Sequence, residues 1–158
     1  MDLLPFFQWC YQTPVGEGIR NSTWLFPVIE AFHLLGLGFT AGAVLIMDLL
    51  LFGVGLRKQS PAQIWANAQP WLLGSVIVMF ASGIPLFLSE TLKCYYSVAF
   101  WVKMTSLFLV LLFTFTVVRH VMHMELTADR KLLARSTAIV SLLLWFGVAW
   151  GGRWIGFS

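Results

Sequence analysis

Four long apolar stretches dominate the chain, and short polar segments separate them. They cover residues 24–56, 70–89, 99–121 and 133–157. Each reaches the ~20 residues that a helix needs to cross the hydrocarbon core of a bilayer. The first is long enough to tilt or to extend beyond that core. The pattern therefore predicts an all-α fold, an integral membrane four-helix bundle, with residues 1–158 forming a single transmembrane domain.

The stretch before the first span is aromatic, covers residues 3–13 and ends at Pro14. It is too short to cross a bilayer, so it predicts a short interfacial helix on the membrane surface. Residues 16–22 are interpreted as a linker to the first span, with Asn21 or Ser22 as the helix cap.

Composition supports a lipid environment. The chain is 59% hydrophobic and 11% charged, whereas a soluble domain carries roughly 25% charged residues. The net charge of +3 is spread out, without a basic run interleaved with aromatic residues, which argues against nucleic acid as a partner. The N-terminus has no basic segment followed by a small-residue cleavage site, so we expect no removable signal peptide.

Basic residues in the loops predict the orientation, because cytoplasmic loops are enriched in Lys and Arg. One side of the membrane carries six such residues and the other carries two, namely Arg57, Lys58, Arg119, Arg130, Lys131 and Arg135 against Arg20 and Lys93. We therefore expect both termini in the periplasm and the bundle in a bacterial inner (cytoplasmic) membrane. Cys10 and Cys94 would share that oxidising compartment, and we predict a disulfide between them.

Small residues are frequent in the first span, where Gly38 and Gly42 form a Gly-x-x-x-Gly pair. Such a pair is typical of close helix packing in membranes. Alternatively, the glycines leave room for a flat ligand.

Several polar residues fall at one depth, in the outer half of the bundle, when the spans are aligned at 1.5 Å per residue. They are Glu30, His33, Glu90, Lys103 and Arg153. One interpretation is a buried structural network in which the charges neutralise one another. In that case Lys103 could also extend to the interface.

The other interpretation is a haem b site. Haem needs an imidazole on one face, room for a flat ring, and cations near its propionates. His33 supplies the imidazole, Gly151 and Gly152 the room, and Lys103 and Arg153 the cations.

The remaining ligand positions follow from neighbours in the sequence. Glu30 lies one helical turn before His33 and is expected to hold the second ring nitrogen. Met104 or a deprotonated Lys103 is the candidate sixth ligand, and otherwise the iron is five-coordinate.

Other metal sites fit poorly. Glu30 and His33 form Glu-x-x-His, but a di-iron bundle needs two such pairs and two further Glu residues. His120 and His123 lack the carboxylate pattern of a zinc protease, and we expect both at the inner interface.

Two segments carry a family resemblance. Residues 24–37 (WLFPVIEAFHLLGL) and 151–157 (GGRWIGF) resemble an uncharacterised family of small four-span bacterial membrane proteins. His33 followed by residues 100–104 (FWVKM) is more distantly similar to the copper-resistance D membrane domain and to the haem-containing bacterial protoporphyrinogen oxidase of the J type. The oxidase resemblance implies His33 as a haem b ligand and Lys103 as its functional companion.

The sequence thus favours a small membrane b-type cytochrome with a periplasmic or quinone redox partner, or one that handles porphyrin redox chemistry. The first alternative is a non-catalytic accessory subunit of a larger membrane complex with a structural charge cluster. The second is a small metal or solute permease.

Overall fold

The computed structural model describes residues 3–54, 59–125, 127 and 130–157. All regular structure in those ranges is helical, which confirms the predicted all-α class. Four helices are long and apolar enough to cross a membrane: Leu25–Phe52, Pro61–Ser89, Val98–Met122 and Lys131–Trp154. The chain is therefore a multi-pass membrane helical bundle, in which each span satisfies its own backbone hydrogen bonds.

The first two spans are α3 (Leu25–Phe52) and α4 (Pro61–Ser89), and the last is α8 (Lys131–Trp154). The third span consists of α6 (Val98–Phe113), a π-helical segment (Thr114–Val118) and α7 (Arg119–Met122). Short helices α1 (Leu4–Tyr11), α2 (Pro14–Arg20) and α5 (Thr91–Tyr96) lie at the end where the chain starts and finishes. We call this the terminal end, and the opposite end the loop end.

The N-terminal surface segment is more ordered than the sequence predicts. The predicted linker at residues 16–22 is largely helix α2, because Thr13 caps it by accepting the Gly16 N–H, and Pro14 is its first residue. Arg20 then donates to the carbonyl oxygens of Tyr11 and Leu88, at 2.6 and 3.2 Å. Its guanidinium thereby joins α1 and α2 to the end of α4, where carbonyl groups lack helical partners.

Two span boundaries differ most from the prediction, and the fourth span, at Lys131–Trp154, is shifted by two to three residues from the predicted 133–157. The second span starts at Pro61 rather than at residue 70, because Ser60 and Gln63 form a reciprocal capping box. Pro70 therefore lies inside the helix, as membrane helices tolerate. The first span ends at Phe52, where Gly53 is left-handed (φ 83°) and a Schellman motif closes the helix. The predicted end at residue 56 lies outside the described residues.

The spans form a ring of contacts. Helix α3 packs against α4 and α8, α6 packs against α8, and α7 contacts α4 at the loop end. A largely aromatic cluster at the terminal end holds α1 and α5 to the bundle. Its centre is Phe7, whose ring packs edge-on against Phe87 and Tyr95. The buried face of each long helix is thus directed toward the others, and the remaining faces present apolar side chains outward.

The close approach of α3 and α4 occurs at Gly36, not at the predicted Gly38 and Gly42 pair. A Cβ atom at Gly36 would lie 3.0 Å from Met79 Cγ and 3.3 Å from the Ser75 carbonyl oxygen. A Cβ atom added at Gly38 or at Gly42 would meet open space within 4 Å. The packing prediction for that pair was wrong because the pair lies on the outward face of α3.

Candidate functional site

His33 lies on the face of α3 that packs against α4, near the terminal end. Its Nδ1 is 2.9 Å from Ser82 Oγ, which is itself 2.7 Å from the Val78 carbonyl oxygen. A hydroxyl has one hydrogen, and the carbonyl can only accept, so Ser82 donates to Val78 and accepts from His33. This network assigns the proton to Nδ1. The other ring nitrogen, Nε2, therefore carries the lone pair that can bind a metal.

Glycine on α4 makes this arrangement possible. A Cβ atom at Gly83 would lie 3.2 Å from His33 Cε1 and 3.6 Å from Nδ1. The Cε1–Nδ1 edge of the imidazole thus lies against α4 at Gly83, next to Ser82. Gly36, one turn further along α3, brings α3 and α4 close together next to this position. The ring is half-buried and its orientation is fixed from two sides.

Lys103 lies near His33 on α6, close enough for its charge to act on the imidazole. Its stem packs on α8, where a Cβ atom at Gly151 would lie 2.9 Å from Lys103 Cβ. Gly152 faces the end of the same side chain, at 3.8 Å from Nζ. The space over the double glycine is therefore filled by Lys103, and it is not open for a flat ring as the sequence interpretation assumed.

Glu30 does not hold the second ring nitrogen of His33. Its side chain is exposed, and Ser82 takes the expected role of the carboxylate. Glu30, Glu90 and Lys103 form no ion pair with one another in the described residues, so these three charges do not neutralise one another directly. Arg153 is exposed near the end of α8.

Met104 is not placed as a sixth ligand. It is 41% exposed, because adjacent residues of a helix point about 100° apart and Lys103 occupies the inward position. Within the described residues, no group of three or more His, Cys, Asp or Glu side chains gathers around a metal-sized site.

An open apolar groove of about 310 Å³ runs between α3 and α4 beside this histidine. Its lining consists of Ile29, Phe32, Val78, Ala81, Ser82 and Pro85. Ser82 thus lies on the groove and also holds the imidazole. The site combines an oriented imidazole, a nearby cation and an apolar surface.

The two cysteines lie on neighbouring surface helices, Cys10 on α1 and Cys94 on α5, and both are buried. Their thiols are free, so the predicted disulfide is not formed. Burial raises the pKa of Cys94 to about 11, and Glu90 adds to that effect while Lys103 and Lys93 oppose it. Burial also raises the pKa of Cys10. Both groups are neutral thiols at neutral pH.

Residues 6–158 match the family model described as a family of unknown function, DUF6644. The chain belongs to the DUF6644 family. No curated protein and no solved structure matches it. The family assignment confirms the predicted resemblance to an uncharacterised membrane family. The more distant similarity to the copper-resistance D domain and the J-type oxidase stays a prediction.

Two site residues in this DUF6644 chain escaped the sequence interpretation. Ser82 and Gly83 gave no signal alone, but Ser75, Ser82 and Ser89 recur every seven residues and all are buried. Seven-residue spacing places residues on one seam of a helix pair. On α3 the matching seam includes His33 and Thr40, and Thr40 donates to Ser75 at 2.8 Å. That repeat is the signal that pairs His33 with Ser82.

Proposed function

We propose that this DUF6644 chain is a small membrane b-type cytochrome in which His33 ligates a single haem through Nε2. The observation that carries the proposal is the hydrogen bond from Nδ1 to Ser82, which leaves Nε2 with its lone pair. Metal-ligating histidines usually donate their other ring N–H in this way, which fixes tautomer and orientation. Here a serine fills the role that the sequence assigned to Glu30.

The surroundings support the proposal in two further respects. The groove beside His33 is lined mainly by apolar side chains, which suits the face of a porphyrin. Lys103 brings a positive charge near the imidazole without an ion-pair partner in the described part of the chain. An ammonium in that position suits an anionic propionate, because charge-assisted hydrogen bonds are the stronger ones.

Haem bound there would supply one-electron chemistry. His33 would hold the iron, Ser82 would hold the imidazole, and Lys103 would balance negative charge. With the terminal end in the periplasm, as the basic loop residues predict, the site would lie in the outer half of the membrane. A periplasmic or quinone partner would then exchange the electron, or a porphyrin would be the substrate.

The test is the absorption spectrum of the protein purified in detergent after expression with ample haem. We expect a Soret band and a reduced-minus-oxidised b-type spectrum. His33→Ala should abolish both while the protein stays folded, whereas His120→Ala, exposed near the loop end, should retain them. Well-folded wild-type protein without a Soret band would overturn the cytochrome proposal.

Ser82→Ala tests the orienting role separately. We expect haem to remain bound with a shifted midpoint potential or a faster loss to apomyoglobin, since outer-shell partners tune affinity 10–100-fold. Ser89→Ala is the matched control, because Ser89 is also buried on α4 and its hydroxyl bonds only its own helix, at the Leu86 carbonyl. Equal effects of the two substitutions would contradict the assigned role of Ser82.

One observation favours the second candidate, an accessory subunit of a larger membrane complex. In the most apolar 18 residues of each span, 44% are buried in the first span but only 17% in the third. The third span thus presents most of its surface outward. Co-purification of further membrane subunits from native membranes, with a protein that shows no Soret band, would support this function instead.

A further inference from the structure

A second polar site lies in the half of the bundle near the loop end, away from His33. Asp48 on α3 is 1% exposed, and its Oδ2 accepts a hydrogen bond of 2.9 Å from Ser141 on α8. Fifteen residues separate it from His33, which is about 22 Å along a helix at 1.5 Å per residue. The haem proposal therefore does not use this carboxyl group.

Three buried polar atoms in the described residues have no hydrogen-bond partner: Asp48 Oδ1, Thr114 Oγ1 and Trp145 Nε1. They come from three different spans. Buried polar atoms are paired in the great majority of cases, so each exception needs an explanation. Trp145 lies one turn beyond Ser141 on the same face of α8, since i and i+4 are neighbours.

Thr114 lies at nearly the same depth as Ser141. A Cβ atom at Gly147 would lie 2.6 Å from Ser106 Oγ, so these two residues mark one level of the antiparallel α6 and α8 pair. Ser141 precedes Gly147 by six residues and Thr114 follows Ser106 by eight. Because the two helices are antiparallel, both residues lie toward the loop end from that level, and their depths differ by about 3 Å. Thr114 also opens the π-helical segment, a feature often found at functional sites.

No cation faces Asp48 among the described residues. Helix α4 carries no charged residue, and Ser141 is the hydrogen-bond partner that α8 provides. The basic side chains of α7 and α8, together with His120, are exposed: Arg119, Lys131, Arg135 and Arg153. Lys103, on α6, lies eleven residues from Thr114, about 16 Å away. An ionised carboxylate there would be unpaired, at a cost of several kcal/mol.

We propose that Asp48 is a proton-binding site in the membrane interior. At neutral pH its carboxyl group is a neutral acid. Ser141 donates to Oδ2, and the proton resides on Oδ1, the oxygen that has no hydrogen-bond partner among the described residues. On binding, an O–H bond forms at Oδ1 and a hydronium ion becomes water; on release the reverse occurs. The Thr114 hydroxyl can both accept and donate a hydrogen bond, so this exchange would use it, whereas the Trp145 indole can only donate.

Infrared spectroscopy of the whole protein in lipid vesicles tests this directly. We expect the C=O stretch of a carboxylic acid at neutral pH, shifted to lower frequency in D₂O and lost in Asp48→Asn. Glu30→Gln should retain it. If Asp48→Asn does not fold, Asp48→Glu should move the band rather than remove it. A carboxylate stretch assigned to Asp48 at neutral pH would overturn the proposal.

Matched substitutions test the surroundings. Ser141→Ala should raise the C=O frequency, because one hydrogen bond is lost, whereas Ser136→Ala should not, since Ser136 is exposed and bonds only Leu133. Thr114→Val should also shift the band, and Thr116→Val, exposed in the same π-helical segment, should not. Unchanged frequencies in both Ser141→Ala and Thr114→Val would contradict the site.

Exchange of choline for Na⁺ in the buffer separates a proton site from a metal-cation site. A proton site keeps the carboxylic-acid band in both salts. Loss of the band in Na⁺, with appearance of a carboxylate stretch, would show that a metal cation displaces the proton and would overturn the proposal. Because the readout does not involve haem, failure here and failure of the cytochrome proposal are distinguishable.

Discussion

Replacement of Gly151 by alanine tests the closest contact between α6 and α8. The new Cβ atom would lie 2.8 Å from the Ala99 carbonyl oxygen, 2.9 Å from Lys103 Cβ and 3.0 Å from the Lys103 nitrogen. Ordinary contacts of a Cβ atom begin near 3.4 Å. Two of the three neighbours are backbone atoms, which no rotamer change can move. The helices must therefore separate by about half an ångström or bend locally, because tightly packed interiors do not absorb added volume.

The expected magnitude follows from two opposing effects. Overpacking of a well-packed core costs about 1–3 kcal/mol. Alanine in place of glycine favours a helix by about 1 kcal/mol. We therefore expect Gly151→Ala to lower the free energy of unfolding by about 1 kcal/mol, and by at most about 2. Circular dichroism at 222 nm in mixed micelles of increasing SDS fraction measures the change.

Gly38→Ala is the matched control. Gly38 lies in the middle of α3, whereas Gly151 lies in the last turn of α8, and a Cβ atom added at Gly38 would meet open space within 4 Å. Only the helix-propensity effect applies, so stability should stay constant or rise. The packing account would be refuted if Gly151→Ala unfolded at the wild-type SDS fraction or above it, or if Gly38→Ala lost as much stability as Gly151→Ala.

Three further predictions use other parts of the chain. Reporter fusions after Ser60 and Ser158 should report opposite sides of the membrane, with Ser158 in the periplasm; the same side for both would exclude four spans. Native Cys94 should react with N-ethylmaleimide at pH 8 about 100-fold more slowly than after denaturation, because its pKa is raised to about 11 and only the thiolate is nucleophilic. The reaction of the native protein should accelerate as the pH rises. Equal rates in the native and the denatured protein would contradict the burial of Cys94. Phe7→Ala should release α1 and speed its hydrogen exchange, since loss of a buried Phe costs about 3–5 kcal/mol; Phe6→Ala, 55% exposed in the wild type, should not.

The four spans were predictable from the sequence because the transfer of apolar residues into lipid dominates all other local preferences. The residues at which the spans begin and end were harder to predict. Pro70 was interpreted as a helix start, but in a membrane span the capping box at Ser60 decides where the helix begins. The π-helical segment at Thr114–Val118 leaves the apolar pattern intact, so no periodicity in the sequence announces it.

Depth along the bundle was easier to predict than direction around each helix. The alignment of spans placed His33 near Lys103, and the structure brings these two within electrostatic reach. The alignment did not show which face of each helix points into the bundle. Glu30 and Met104 were therefore assigned to the site although both are exposed. In lipid, apolar side chains cover both the buried and the outward face of a helix, and the usual contrast between polar and apolar faces is lost.

The two proposed sites follow from one electrostatic feature of the bundle. Lys103 near one end has no ion-pair partner in the described chain, and neither has Asp48 near the other. At a separation of about 16–22 Å along the helices, Lys103 and an ionised Asp48 would be too far apart to form the hydrogen-bonded pair that would compensate for their burial. Each must therefore be stabilised locally. A cation whose charge acts on His33 is stabilised by an anionic group of a ligand or by the interface. An enclosed carboxylate is stabilised most simply by a proton. Because the two solutions are independent, the cytochrome and the proton site stand or fall separately.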